Sequence, residues 1–144
     1  MIFTPENAAK IMAGLKTQTR RPVRDNERFE PADAFVENGR IVVQPPMVWA
    51  DRESAGKSDR VRWYVGCTYA VQPGRGKRAI GRIRLLGIRD EWLHDISDSD
   101  ARAEGFSGRD EFEQVWRALY PRGPYCYDDD PTVWVLTFTL AEGA

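Results

Sequence analysis

The chain has 144 residues, 42% hydrophobic and 30% charged, which fits one folded domain and excludes a disordered chain or two comfortable cores. Twenty-one basic residues stand against 22 acidic ones, for a net charge of −1. That excludes a protein that coats nucleic acid through a general basic field, but it leaves room for a local basic cleft. Two cysteines without CxxC spacing and one histidine, His94, argue against a structural zinc site, and neither metal nor cofactor is expected. No apolar run approaches the roughly 20 residues that span a bilayer, and Met1 to Pro5 lacks a basic region and an apolar signal core. A cytoplasmic protein without a membrane partner is the expectation.

Thr4-Pro5-Glu6 predicts a helix start, with a hydroxyl cap, proline at the first helical position and an acid in the first turn. Ala8, Ile11, Met12 and Leu15 follow at helical spacing and predict one apolar face, and Gly14 is a stop signal. The stretch Gly14-Leu15-Lys16-Thr17-Gln18-Thr19-Arg20-Arg21 then gathers an amine, two hydroxyls, an amide and two guanidiniums before Pro22. No other stretch concentrates so much polar chemistry, and the set suits an anionic or hydrogen-bond-rich ligand.

From about residue 25 to 60 the pattern is weak and reads as an insertion. Within it, Phe35 to Val43 predicts a hairpin, because Asn38-Gly39 supplies the positive φ angles of a tight primed turn. Asp51 to Arg60 predicts a mobile loop. Strands are predicted at Arg62–Val65 and Thr68–Val71, and Cys67 between them reads as a buried thiol. Pro73-Gly74-Arg75-Gly76-Lys77 is a hairpin connection or, through Arg75 and Lys77, a phosphate contact; the Walker spacing is absent.

Ala79 to Ile88 predicts a strand with Arg82 and Arg84 on one face and Ile83 and Leu85 on the other. Ser97 caps a short helix that Gly105 stops. A second helix runs from about Arg109 to Tyr120, with a buried stripe of Phe112, Val115, Trp116 and Leu119 that reads as core. Thr132 to Leu140 alternates as a strand, Trp134, Leu136 and Phe138 opposite Val133, Val135, Thr137 and Thr139. Several strands with few helices predict an α+β chain built as one small mixed barrel over residues 1–144.

The stretch from Gly14 to Arg21 resembles the GxKTxTxR signature of the ASCH domain family. The resemblance continues through Val65 to Gln72, Gly81-Arg82-Ile83, Ala103-Glu104-Gly105-Phe106, Phe112…Trp116…Tyr120 and Val133 to Phe138, and it is strongest to the longer phage- and prophage-associated members. It implies a PUA-like β-barrel with flanking helices and a cleft for RNA or nucleosides. The chain departs from the pattern at Cys67, where a carboxylate is expected after the glycine, and in its long insertion. Some compact members are amidohydrolases that cleave the acetyl amide of N4-acetylcytidine. Their catalytic lysine, threonine and glutamate correspond to Lys16, Thr19 and Glu104, with no metal involved.

The residues bear on this chemistry by themselves. Glu104 falls at the end of a predicted helix, where the dipole disfavours negative charge, which suits an acid/base group; an exposed glutamate in a frayed turn is the plain alternative. Lys16 acts as a nucleophile or base only if its amine is neutral part of the time, through burial or neighbouring cations such as Arg20 and Arg21; otherwise it is a solvated lysine after a helix. In a strict strand Lys16 and Thr19 point to opposite faces, so convergence with Glu104 requires a bend between them. Thr17, Arg20, Arg21, Tyr69, Arg75 and Lys77 are the candidate binding residues. Arg21 holds a phosphate or a structural carboxylate, and Tyr69 and Trp63 stack on a base or pack in the core. The readings are therefore an amidohydrolase acting on a modified nucleoside, a non-catalytic RNA-binding module, and a ribonuclease using the same cleft.

Overall fold

A computed structural model describes residues 1–141. The first helix, α1 (Pro5–Met12), begins at Thr4, whose hydroxyl accepts a hydrogen bond from the Asn7 N–H at 3.2 Å. Ala8 and Ile11 are buried, as their spacing predicts, but the helix ends before Leu15, which is exposed. The physical reason is Gly14, which takes a φ of +75° and turns the chain away.

Among the described residues nine strands follow: β1 (Gln18–Pro22), β2 (Glu27–Glu30), β3 (Asp33–Glu37), β4 (Arg40–Gln44), β5 (Met47–Ala50), β6 (Arg60–Tyr64), β7 (Thr68–Val71), β8 (Gly81–Trp92) and β9 (Thr132–Leu140). Between β8 and β9 lie α2 (Asp98–Ala103) and α3 (Arg109–Leu119). All strand pairs are antiparallel, in a four-stranded sheet of order β1-β9-β8-β7, a three-stranded sheet of order β2-β5-β6, and the β3-β4 hairpin. The expected α+β character is present, but the described strands do not close into one barrel. β1 and β7 remain as edges, while β2, β5 and β6 form a sheet of their own and β3 pairs only with β4.

β9 is the central support. Its Val133 and Val135 pack on Leu93, Ile96, Ala101, Phe112 and Trp116. Trp134 and Leu136 face Val48, Trp63 and Leu85, and Phe138 joins Phe3, Ala8 and Ile11. The alternation is real, yet both faces are buried, because helices cover one side and the insertion's sheet the other. Each such side chain contributes about 1.5–3 kcal/mol relative to exposure, so β9 fixes the position of everything paired with it.

In the insertion, Asn38 and Gly39 have φ of +52° and +75°, the primed turn that their sequence predicts. Residues 51–59 contain only a short 3-10 turn, Glu53–Ala55, and Arg60 already belongs to β6. Strands β2 and β5 are too short for their alternation to be read beforehand. Cys67 is exposed rather than buried, because it sits in the tight connection between β6 and β7, outside both strands. On β8, Ile83 and Leu85 are buried while Arg82 and Arg84 are exposed. No helix among the described residues is long and apolar enough to cross a membrane.

Glu27 locks the insertion to the main sheet. Its side chain pairs with Arg62 and accepts hydrogen bonds from the Trp134 indole at 3.1 Å and the Arg24 N–H at 2.9 Å. Replacing it leaves a largely buried guanidinium and an indole N–H without partners. Glu27→Ala is expected to lower unfolding free energy by about 2–3 kcal/mol, measured by urea denaturation; a loss within experimental error contradicts this tie.

Candidate functional site

The segment before β1 is held at both ends. After Gly14 the Leu15 and Lys16 N–H groups donate to the Lys10 carbonyl, at 2.9 and 3.3 Å. The Thr17 N–H then donates to the Ala103 carbonyl at 2.7 Å, and the Thr17 carbonyl accepts from the Phe138 N–H at 2.9 Å. Lys16 therefore lies outside the strand, which begins at Gln18, and the strand's alternation does not constrain it. The end of α2 is brought close by Gly105, with a φ of +94°; a Cβ there would lie 3.0 Å from the Lys10 side chain and 3.4 Å from that of Lys16. Any other residue is strained at that φ and crowds the Lys10 side chain.

Among the described residues the buried polar or charged ones are Lys16, Thr19, Arg20 and Glu104, each 3–5% exposed. Lys16 Nζ donates to Glu104 Oε2 at 2.6 Å and to the Glu104 carbonyl at 2.9 Å. Arg20 reaches the other carboxylate oxygen, Oε1, at 3.4 Å, together with Asp100 at 3.0 Å and Glu91 at 2.7 Å. Arg89 bridges Glu91 and Asp100 at 2.6 and 2.7 Å from the outer side. Three cations (Lys16, Arg20, Arg89) thus face three carboxylates (Glu91, Asp100, Glu104). Burial is the main influence on Lys16 and pushes its amine below the usual lysine range. Glu104 opposes this, while the positive charges of Arg21 and Arg20 add to it.

Beside this network lies a cavity of about 390 Å³, within the range of small-molecule sites. Lys16, Thr19, Arg20, Arg21 and Glu104 form its polar side, and Phe106, Phe112, Trp116 and Tyr120 its aromatic wall. Residues of both strand parities, Thr19 and Arg21 with Arg20 between them, line it, because the cavity runs along the free edge of β1. The stripe on α3 read as core does both tasks: Phe112 and Trp116 are buried against β9 and also border the cavity.

The other candidates lie elsewhere. Thr17 is exposed and contributes backbone hydrogen bonds. Tyr69 is half-buried outside the cavity lining, its hydroxyl accepting from the Tyr64 N–H at 2.7 Å, and Trp63 is core. Neither is free to stack on a base there. Arg75 and Lys77 are exposed on the connection between β7 and β8; their neighbour Gly74 borders the cavity, but they do not. Sequence reasoning missed Asp100 and Glu91. Asp100 had a local signal, since it precedes Glu104 by four residues and shares its helix side; Glu91 meets Arg20 only through sheet pairing.

No family model and no curated protein matches the sequence. Solved structures are similar in fold. One is an ASCH domain from Lactobacillus crispatus JV V101, with a TM-score of 0.58 and 12% identity, covering 94% of this chain and 70% of that one. Another is a protein of Enterococcus faecalis V583 described as DUF984, with a TM-score of 0.57 and 15% identity, covering 94% of this chain and 67% of that one. The chain shares the fold of these structures, one of them an ASCH domain, and its architecture is mixed α+β.

Two outcomes follow from the buried pair. Glu104→Ala strands the Lys16 amine and is expected to cost about 3–5 kcal/mol, whereas the double variant Lys16→Met, Glu104→Leu recovers most of it; urea unfolding of the three proteins tests this. The folded Lys16 amine holds its proton less tightly than the unfolded chain does. Unfolding therefore takes up a proton between the lowered value and the ordinary 10.5, and stability rises with pH across that window. The rise should be smaller in Lys16→Met, read as the difference between the two stability profiles.

Proposed function

We propose that the chain binds a modified pyrimidine nucleoside, free or in RNA, in the cavity beside Lys16 and Glu104, and hydrolyses an acyl amide on its exocyclic nitrogen, as in N4-acetylcytidine. The observation that carries this reading is the 2.6 Å contact between a buried amine and a buried carboxylate inside a ligand-sized cavity with an aromatic wall. Burial, the largest influence, and two neighbouring guanidiniums favour the neutral amine against the pull of Glu104, and a ligand that excludes water strengthens the effect of burial. The fold shared with an ASCH domain is compatible with RNA as the source of the base.

In this reaction the neutral Lys16 amine takes a proton from water as the water oxygen attacks the acyl carbon. Thr19, which lines the cavity, uses its hydroxyl to hydrogen-bond the carbonyl oxygen as it gains negative charge. Glu104 receives that proton from Lys16 across their 2.6 Å contact and donates it to the departing nitrogen as the C–N bond breaks. The products are the free amine of the base and acetic acid, which leaves as acetate and a proton. Arg20 holds Glu104 by its second oxygen, keeping the first directed at Lys16.

A second reading, a binding module without turnover, is favoured by one feature. Arg75 and Lys77 are exposed beside Gly74 at the cavity border, where they suit the phosphates of a longer RNA.

Incubation with N4-acetylcytidine, followed by chromatography for cytidine and acetate, separates the two. Turnover is expected in the wild type, with kcat/KM reduced at least about 100-fold in Lys16→Ala and Glu104→Gln. Absence of turnover, with RNA binding that weakens steeply with salt, supports the binding module instead.

A further inference from the structure

We propose that Arg21 is an anion subsite of the cavity and that the natural ligand presents a phosphate to it, so that a nucleotide rather than a neutral nucleoside is the preferred occupant. This rests on the nucleoside reading above, because phosphate is the anionic group that a nucleoside ligand ordinarily carries. The arginines packed near the cavity are otherwise matched: Arg20 with Glu91, Asp100 and Glu104, and Arg62 with Glu27. Arg21 has no carboxylate within ion-pair distance among the described residues, although it lines the cavity.

Its contacts are those of a positioned but unsatisfied group. One terminal nitrogen donates to the Ile2 carbonyl at 2.8 Å, and the guanidinium lies 5.0 Å from the centre of the Phe3 ring. A guanidinium has five N–H donors, so most remain available for an oxyanion. Burial, the largest influence, and the charge of Arg62 work against the charged form of Arg21, while Tyr120 and Glu104 favour it; an incoming anion offsets the cost of burial. Since Lys16, Arg20 and Arg89 are balanced by Glu91, Asp100 and Glu104, Arg21 leaves the cavity with one positive charge in excess.

Position supplies the second half of the argument. Arg21 follows Thr19 by two residues on β1, on the same strand face and about 7 Å further along. Its guanidinium contacts Ile2 and Phe3, while the Lys16–Glu104 contact lies on the same cavity. A ligand with its acyl amide at Lys16 and Glu104 can therefore place a phosphate at Arg21, since all three residues line one cavity.

Calorimetric titration tests the subsite without relying on turnover. The probes are cytidine, cytidine 5′-monophosphate, a cytidine trinucleotide and inorganic phosphate, titrated into wild type, Arg21→Gln, Arg21→Lys and the exposed control Arg40→Gln. The monophosphate is expected to bind wild type and the control at least about tenfold more tightly than cytidine. That advantage should vanish in Arg21→Gln and persist in part in Arg21→Lys, which also shows that the site has folded. A matching advantage for the trinucleotide assigns the phosphate to an RNA chain; its absence assigns it to a free nucleotide. Equal binding of cytidine and its monophosphate, or an advantage that survives Arg21→Gln, overturns the subsite and leaves the nucleoside reading standing. Phosphate binding that depends on Arg21, without binding of cytidine in any form, keeps the subsite and overturns the nucleoside reading. No binding by any phosphate-bearing probe overturns the subsite.

Discussion

A lysine and a glutamate, 88 residues apart in the chain, share a buried hydrogen bond of 2.6 Å. Removing two charges from water costs several kcal/mol each, and their attraction offsets this only when the geometry is good and the remaining donors and acceptors are engaged. Both conditions are met. The second oxygen of Glu104 meets Arg20, and the Lys16 amine also donates to the Glu104 carbonyl. Because the pair tolerates little displacement, it constrains its surroundings. The turn at Gly14, the close approach at Gly105 and the clamp of Thr17 between Ala103 and Phe138 all serve to hold two backbones at this separation.

β9 transmits that constraint through the molecule. It pairs with β1 and β8, packs on α2 and α3 from one face and on the insertion's strands from the other. The helices that supply Glu104 and the aromatic wall are thereby fixed relative to the strand that supplies Thr19, Arg20 and Arg21. The cavity is the space left where the edge strand β1 has no further strand beside it and α3 stands opposite. A polar side made of matched charges and an apolar side made of aromatic rings suit a flat heterocycle with polar substituents.

Much of this was legible where the physics is local. The Thr4 and Ser97 caps, the primed turn at Asn38-Gly39 and the alternation around Ile83 and Leu85 depend on neighbours within a few residues. The trio Lys16, Thr19 and Glu104 was suggested by a family resemblance, and the structure brings its members to one cavity. Asp100 and Glu91 were not legible as partners of Arg20, because only the folded arrangement of α2 and β8 brings them to it. Cys67 misled for a related reason: its apolar neighbours suggest a strand, but the residue occupies the turn between two. The stripe of Phe112 and Trp116 carries a periodicity that core and cavity wall share equally, so spacing alone did not separate them.

The account depends on Lys16 being an amine that gives up its proton more readily than an ordinary lysine. Carbon-13 labelling of the lysine ε positions, with the Lys16 signal assigned by its absence in Lys16→Arg, allows that one group to be titrated by nuclear magnetic resonance in the intact protein. The account requires a midpoint below the ordinary value of 10.5, with a further fall when Glu104→Gln removes the carboxylate that favours the charged form. A midpoint at or above the ordinary value makes the pair a permanent ion pair, and contradicts any role for Lys16 as base or nucleophile.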